Sequence, residues 1–185
     1  MKKNNFSLHL TILIIVTVLC ALVYATVQQA HRSGADDPQL QLALDLKNAL
    51  DDNRSPQPWM DKDSIDISRS LSVFKTLYNR DGVPLASTGF LDGAMPQMPK
   101  GVFDFTAKHQ QDVFTWQPRR GVRMATVVEA VHSPQVGFVA VGRSLKEVEK
   151  RESNLTTMVL VAWLVCAGII LLHFIVSYLN SRASN

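Results

Sequence analysis

The sequence predicts an α+β fold: a five-stranded antiparallel sheet with an N-terminal helix, flanked by two transmembrane α-helices. Three observations lead to this fold class. Two uncharged stretches are each long enough to cross a bilayer core of about 30 Å at about 1.5 Å per helical residue. Every acidic residue of the chain lies between these two stretches. In that middle region, short β-prone runs alternate with turn residues, as they do in an antiparallel sheet.

The first uncharged stretch extends from Asn4 to Ala30, and we predict a transmembrane helix over residues 7–27. Its basic start and the sequence Val23-Tyr24-Ala25 also fit a signal peptide that is removed, which is the alternative. The apolar run is longer than the roughly 7 to 15 residues usual in a signal peptide. A retained helix is therefore the favoured interpretation.

The second uncharged stretch extends from Ser153 to Ser181 and predicts a transmembrane helix. The net charge of +3 comes from Lys2, Lys3 and Arg182 at the two ends of the chain. Basic ends favour cytoplasmic termini, with the middle region on the outer side of the cell (inner) membrane. The predicted segments are a cytoplasmic N-terminus 1–6, a span 7–27, an extracytoplasmic domain 28–152, a span 155–178 and a cytoplasmic tail 179–185.

The charge distribution, the cysteine positions and the lack of catalytic motifs limit the classes of function that the sequence supports. The middle region is neutral, so the basic pI of about 9.0 does not support nucleic-acid binding. Cys20 and Cys166 both lie in the spans, which leaves no disulfide framework for the outer domain. The sequence contains no phosphate-binding glycine loop, HExxH, GxSxG or close set of cysteines and histidines. We therefore predict no catalytic residues, no metal site and no cofactor.

The outer domain is predicted to begin with a helix. Pro38 follows Asp37 as a first helical proline follows an N-cap, and apolar residues then recur every three or four positions up to Leu50. The preceding HRSGADD is expected to be a turn. The following segment 52–64 is rich in turn formers, and we expect it to be irregular.

A β-hairpin and a second helix follow. The runs Val73–Tyr78 and Val83–Ser87 are β-prone, and Gly82 between them can take the positive φ that closes a hairpin turn. After a loop with two prolines, residues 101–111 suggest a short helix. Val102, Phe105 and Ala107 are expected to lie towards one side of this helix.

Three strands complete the sheet. Residues 112–117, 122–132 and 136–142 are β-prone and are separated by turns that contain proline or glycine, which indicates an antiparallel meander. In the long middle strand, the even positions form a mostly apolar face and the odd positions include Arg123 and Glu129. Both faces of this strand are therefore expected to be partly covered.

The order of elements, the hairpin LYNRDGVPLASTG and the exit VGRSLKEVEKRE resemble the PAS-like or single-Cache sensor domains found outside the membrane in bacterial histidine kinases and chemoreceptors. The resemblance covers roughly residues 31–152 and both spans. It implies a domain that detects a small ligand or an envelope state. Sensor kinases continue beyond the second span, whereas NSRASN follows here, so we expect output through a separate kinase, chemoreceptor or transporter. A truncated remnant of a sensor kinase is an alternative.

Domains that resemble this one bind small molecules on one face of the sheet, and four residues are predicted to take part. Arg123 lies in an apolar strand, where its planar donor fork suits a carboxylate-type ligand; pairing with Glu129 is the alternative. Arg119 and Arg120 lie in a predicted turn, where plain solvation is the alternative. His132 is a candidate pH sensor, because histidine is the residue type whose charge changes near neutral pH; a surface position is the alternative.

A charged helix at residues 144–154 is predicted to join the sheet to the second span. Leu145, Val148 and Leu155 have a and d spacing, interrupted by Glu152, and this weak seam can guide a homodimer. We assign these four residues to a signalling helix, with a solvated stalk as the alternative. His173, inside the second span, is a further candidate for a contact with a partner.

Two functions remain open at this stage. The first is a two-pass membrane sensor without enzymatic activity, in contact with membrane lipid and a protein partner. The second is a structural or assembly subunit of a membrane complex that binds no small molecule.

Overall fold

The computed structural model of the chain describes residues 2–60 and 64–183. Two compact units are present: a helical unit, Met1–His31 with Lys150–Asn185, and a sheet unit, Arg32–Glu149. The helices are α1 (Lys2–Asp51), α2 (Gln57–Met60), α3 (Lys100–His109) and α4 (Lys146–Ala183). The strands are β1 (Ile65–Asp66), β2 (Phe74–Tyr78), β3 (Pro84–Ser87), β4 (Gly89–Phe90), β5 (Gln111–Arg119), β6 (Val122–Ala130) and β7 (Phe138–Ser144).

The sheet unit contains the predicted five-stranded antiparallel sheet. Its strand order is β3-β2-β7-β6-β5, and every neighbouring pair is antiparallel. The meander of β5, β6 and β7 is therefore confirmed. The sequence did not predict the short parallel pair that β1 forms with β4.

The predicted hairpin between β2 and β3 is also confirmed. Gly82 has a φ of +77°, and the Asn79 Oδ1 atom accepts hydrogen bonds from the backbone N–H groups of Asp81 and Val83 at 2.9 and 2.8 Å. A Cβ atom at Gly82 would lie 2.5 Å from the Phe103 ring. Glycine is needed here for both the turn and the close approach of α3.

The two faces of the sheet are covered by different elements. One face packs against the part of α1 that belongs to the sheet unit, and the other packs against α3 and the loop after β4. Because side chains alternate along a strand, β6 contributes to both clusters. The α1 face buries Ala43, Leu46, Leu50, Leu77, Val127, Val131, Val136, Val139 and Val141. The α3 face buries Ile67, Phe74, Tyr78, Met98, Phe103, Trp116, Val122, Met124, Val128, Ala130, Phe138 and Ala140.

The expected turn before Pro38 is not formed. Residues Lys2–Asp51 make one helix, with Pro38 inside it. An internal proline costs about 3 kcal/mol, since it lacks an N–H and crowds the carbonyl four residues earlier. Burial along the face of Gln39, Ala43 and Leu46, which are almost completely covered, outweighs this local preference. Tertiary packing therefore keeps the helix continuous through Pro38, although the local sequence favours a helix start there.

The predicted side of α3 is correct at one of its three residues, because Val102 is half-buried against the cluster on the α3 face, and wrong at the other two. Phe103 and Thr106 are buried, whereas Phe105 is 46% exposed and Ala107 is exposed. The Phe103 ring lies between the rings of Tyr78 and Phe138, at centroid distances of 4.9 and 5.1 Å. A short helix with aromatic residues at both 103 and 105 offers two apolar sides, and only the fit to the sheet selects one.

The segment expected to be irregular contains one helical turn, α2, whose Trp59 packs against the α1-side cluster. Residues 61–63 of that segment lie outside the described part of the chain.

The helical unit is an antiparallel pair. Its two helices contain long apolar stretches, within Phe6–His31 and Lys146–Arg182, whose most apolar 18-residue windows have mean hydropathies of 2.7 and 2.8. Both helices are long and apolar enough to span a membrane. Polar side chains meet in pairs along it: His9 with His173, Thr17 with Trp163, and Tyr24 with Thr156. The more covered positions repeat every eleven residues, for example at 9, 20 and 31 and at 152, 163 and 174. That period is about 3.67 residues per turn, slightly above the 3.6 of a straight helix and typical of a shallow right-handed supercoil.

Candidate functional site

Strand β6 carries polar contacts between the sheet and α1. Glu129 is 1% exposed, and its carboxylate accepts hydrogen bonds from the Lys47 Nζ at 3.2 Å and from the Gln111 side-chain amide. Lys47 belongs to α1 and Gln111 to the neighbouring strand β5. A buried carboxylate requires such partners, because removing an ion from water costs several kcal/mol.

The C-terminal end of α1 is hydrogen-bonded to the chain just after β6, near Glu129. Asp51, the last residue of α1, accepts a hydrogen bond from the backbone N–H of His132 at 2.7 Å. Its second carboxylate oxygen lies 3.9 Å from the His132 Nδ1 atom. His132 therefore contacts α1 mainly through its backbone N–H, and its imidazole ring is exposed.

The opposite end of β6 binds the start of α4. The Arg123 guanidinium donates to the Glu149 carboxylate in the first turn of α4. The backbone N–H of Leu145 donates to the Arg123 carbonyl at 2.9 Å. We call this set of contacts the β6 junction; its side-chain members are Lys47, Asp51, Arg123, Glu129, His132 and Glu149.

The alternative interpretation of Arg123, a pairing with Glu129, is wrong. The two residues share a face of β6, but they are six positions apart, and at about 3.3 Å per residue their Cα atoms are separated by roughly 20 Å. Each instead takes a partner from a different helix. The alternation of side chains along β6 correctly placed both residues on one face of the strand. It did not indicate how far apart they lie along that face.

The other predicted ligand residues have separate surroundings. The Arg119 Nη1 atom donates to both carboxylate oxygens of Asp92, at 2.8 and 3.0 Å. Arg120 is exposed and forms no hydrogen bond or ion pair among the described residues. His132 lies at the other end of β6. The four residues therefore do not converge on one site.

A surface pocket of about 360 Å³ lies beside Asp92. Hydrogen bonds from the Ser68 hydroxyl, and then from its backbone N–H, hold the pKa of Asp66 below its ordinary value. Arg119 reaches the rim of this pocket through its contact with Asp92. The lining consists of Ser64, Ile65, Asp66, Phe90, Asp92 and Gly93.

The α3 face of the sheet, in contrast, is filled by aromatic side chains. The Tyr78 hydroxyl is buried and donates to the Pro96 carbonyl at 2.8 Å, which fixes the loop after β4 over the sheet. Burial raises the pKa of Tyr78. A Cβ atom at Gly142 would lie 2.5 Å from the Phe74 ring, so this face is packed closely.

The predicted signalling residues fall in both units. Leu145 and Val148 are half-buried in the sheet unit, and Leu145 precedes the first residue of α4. Glu152 and Leu155 are half-buried in the helical unit, on the side of α4 that carries Trp163 and faces α1. The seam at Leu155 thus faces another helix of the same chain.

Sequence reasoning missed Lys47, Asp51 and Glu149 as members of the junction. An acid in the middle of an apolar strand, such as Glu129, indicates that a partner exists. Its identity depends on which helix packs above the strand. Among the described residues, no group of three or more histidine, cysteine, aspartate or glutamate side chains is placed to hold a metal ion.

No protein-family model matches the chain, and a search of curated proteins found no match either. The class defined by the fold is a mixed α+β chain whose antiparallel sheet unit is accompanied by two helices long and apolar enough to span a membrane.

Proposed function

We propose that the chain is a two-pass protein of the cell (inner) membrane, with both termini in the cytoplasm and a PAS-like or Cache-like sensor domain outside. In this proposal it detects a small ligand or an envelope state and signals to a separate membrane kinase, chemoreceptor or transporter. The proposal includes no enzymatic activity. The two apolar helices support membrane insertion. The β6 junction is the observation that supports signalling.

The junction supports signalling because one strand contacts both long helices. Glu129 contacts α1, and Arg123 contacts α4 from the other end of the same strand. Strand β6 is hydrogen-bonded on both sides, to β5 and to β7. A shift of β6 along its neighbours would therefore change both helix contacts together.

An input route to β6 begins at the surface pocket. Asp92 lines the pocket and binds Arg119, the last residue of β5. Arg119 is paired in the sheet with Val122, which directly precedes Arg123. A ligand with an anionic group that competes with Asp92 for Arg119 would therefore act one residue away from the α4 contact. The exposed Arg120 adds a second guanidinium for such a group.

The experiment is photo-crosslinking in intact cells with the full chain. A photoreactive amino acid at Met158, which is 70% exposed, should capture a separate membrane protein, whereas one at Val159, on the more covered side of α4, should capture mainly α1. Arg123→Glu should change the yield at Met158, and Arg123→Glu combined with Glu149→Arg should restore it. Lipid adducts alone from Met158 would contradict the proposal.

The filled aromatic face favours a second candidate function. If this face holds its own side chains in place of a ligand, the chain is a structural or assembly subunit that binds no small molecule. The same experiment separates the two. A captured partner whose yield is indifferent to Arg123→Glu supports the assembly role, since docking does not require the β6 junction to change.

A further inference from the structure

A second polar contact, independent of the proposed function, lies in the helical unit. The His9 Nε2 and His173 Nδ1 atoms are 2.8 Å apart, and the ring centroids are 5.1 Å apart. His9 is only 9% exposed. Ionisable residues within apolar spans are rare and are commonly functional, which makes this pair the strongest site outside the sheet unit.

The chemistry of imidazole fixes the state of this contact. A neutral ring has one N–H donor and one lone-pair acceptor. Two neutral rings therefore share one hydrogen bond, in which one of the facing nitrogens carries the proton and the other accepts it. Their second nitrogens, His9 Nδ1 and His173 Nε2, point away from the shared bond.

One additional proton leaves the contact in place. It binds the remote nitrogen of the donor ring, and the resulting imidazolium donates a stronger, charge-assisted hydrogen bond to its neighbour. A second proton must occupy the accepting nitrogen itself. Two N–H groups would then face each other on two positive rings, so the bond is lost.

The two spans contribute no side-chain carboxylate that could balance a second charge. Residues 1–35 and 153–185 contain no aspartate or glutamate. The Phe174 ring stands edge-on to His9 with a centroid distance of 5.5 Å. On α4, Tyr178 and Arg182 follow, with the guanidinium carbon 5.2 Å from the tyrosine ring centre. On α1, Lys2 and Lys3 precede His9, and their side chains lie outside the described residues.

We propose that His9 and His173 form a single-proton binding site shared by the two helices. The pair binds one proton with its interhelical hydrogen bond intact, and it excludes the second.

The test counts protons on each ring. The full chain, labelled with ¹⁵N-histidine, is placed in phospholipid nanodiscs, and the ring nitrogen signals are followed from pH 8 to pH 5. Signals are assigned with His9→Gln and His173→Asn, because glutamine places an amide near the Nε2 position and asparagine near the Nδ1 position. The exposed His109 and His132 serve as internal controls on the same sample.

We expect one imidazolium and one neutral ring in the pair at pH 5. Replacing His173 with leucine should change the titration of His9, because the shared acceptor is lost. Two charged rings at pH 5, no protonation of either ring, or a His9 titration unaffected by His173→Leu would each overturn the proposal. All three can be read without any assay of signalling.

Discussion

The helical unit and the sheet unit distribute polar and apolar groups in opposite ways. In the sheet unit, large apolar side chains are buried and most charges are exposed. In the helical unit, many large apolar side chains are exposed, and polar groups such as His9 and Thr17 form hydrogen bonds between the helices. Water drives apolar groups inward, whereas lipid does not, so helices in a bilayer associate through close packing and hydrogen bonds.

The exceptions in the sheet unit are as informative as the rule. Glu129 is buried there and has two hydrogen-bonding partners, one of them on a different secondary structure element from the sheet. The buried carboxylate couples α1 to β6 more specifically than apolar contact does. If Lys47 is removed, neighbouring apolar side chains can fill the space, but they cannot supply the lost positive charge. Each of the following predictions tests the contrast, beginning with the largest effect.

Removing a core ring should weaken the sheet unit alone. Phe74 is 1% exposed and lies close to Gly89 and Gly142, which leaves little room for relaxation. Phe74→Ala should lower the free energy of unfolding of the sheet unit by about 3–5 kcal/mol. Hydrogen exchange of the full chain in nanodiscs should show this loss in β2 and β7, with little change in the spans.

Leu85→Ala is the matched control for that loss, because Leu85 is 48% exposed. It should change the free energy by no more than about 0.5 kcal/mol. Equal effects of the two substitutions would mean that the α3 face is not the core of the unit.

Breaking the buried ion pair should have the next largest effect. Lys47→Met leaves the Glu129 carboxylate, whose side chain is 2% exposed, without its charged partner. We expect a loss of about 3 kcal/mol, read from hydrogen exchange in β6. Adding Glu129→Gln should recover most of it, since a neutral amide needs no cation and can still accept from Gln111.

Arg54→Met provides the comparison for the ion pair, as Arg54 pairs with Asp52 on the surface, with side-chain exposures of 57% and 67%. Its effect should stay below about 1 kcal/mol. A failure of Glu129→Gln to rescue Lys47→Met would show that lysine packing, not charge, holds α1 on the sheet.

A smaller change is expected in the helical unit. Thr17→Val removes the acceptor of the Trp163 indole N–H, which lies 2.9 Å away. Hydrogen bonds between membrane helices average about 0.6 kcal/mol, and we expect a loss of that order, read from hydrogen exchange of the two spans in nanodiscs. Thr11→Val is the control, because that hydroxyl bonds only within its own helix. Equal effects would remove the interhelical bond from the account.

The smallest effect concerns acid sensitivity at the pocket. The pKa of Asp66 is lowered mainly by the Ser68 hydroxyl, so its contribution to stability is present above the unfolded-state pKa of about 3.8 and is lost as the pH falls through the lower folded-state value. Asp66→Asn should remove this part of the acid dependence in denaturant unfolding between pH 5 and pH 2. Ser68→Ala should reduce it. An unchanged profile in both variants would contradict the assignment.

The sequence by itself determined the two long apolar helices, the antiparallel hairpin and the β5-β6-β7 meander. These elements follow from local patterns: the length of an apolar run, a glycine at a turn that needs positive φ, and alternation along a strand. Each pattern can be recognised within a short stretch of sequence. The sequence also identified Arg123 and His173 as unusual, because a polar group in an apolar run needs a partner.

Only the tertiary structure decided which partners these residues take. Arg123 binds Glu149, Glu129 binds Lys47 and His173 binds His9, and each pair is separated by 26 to 164 residues along the chain. Tertiary packing likewise kept Pro38 inside α1 and turned Phe103, not Phe105, towards the sheet. The reason is physical: a local pattern fixes the direction of a side chain relative to its own element, whereas its partner depends on how distant elements pack to bury their apolar faces together.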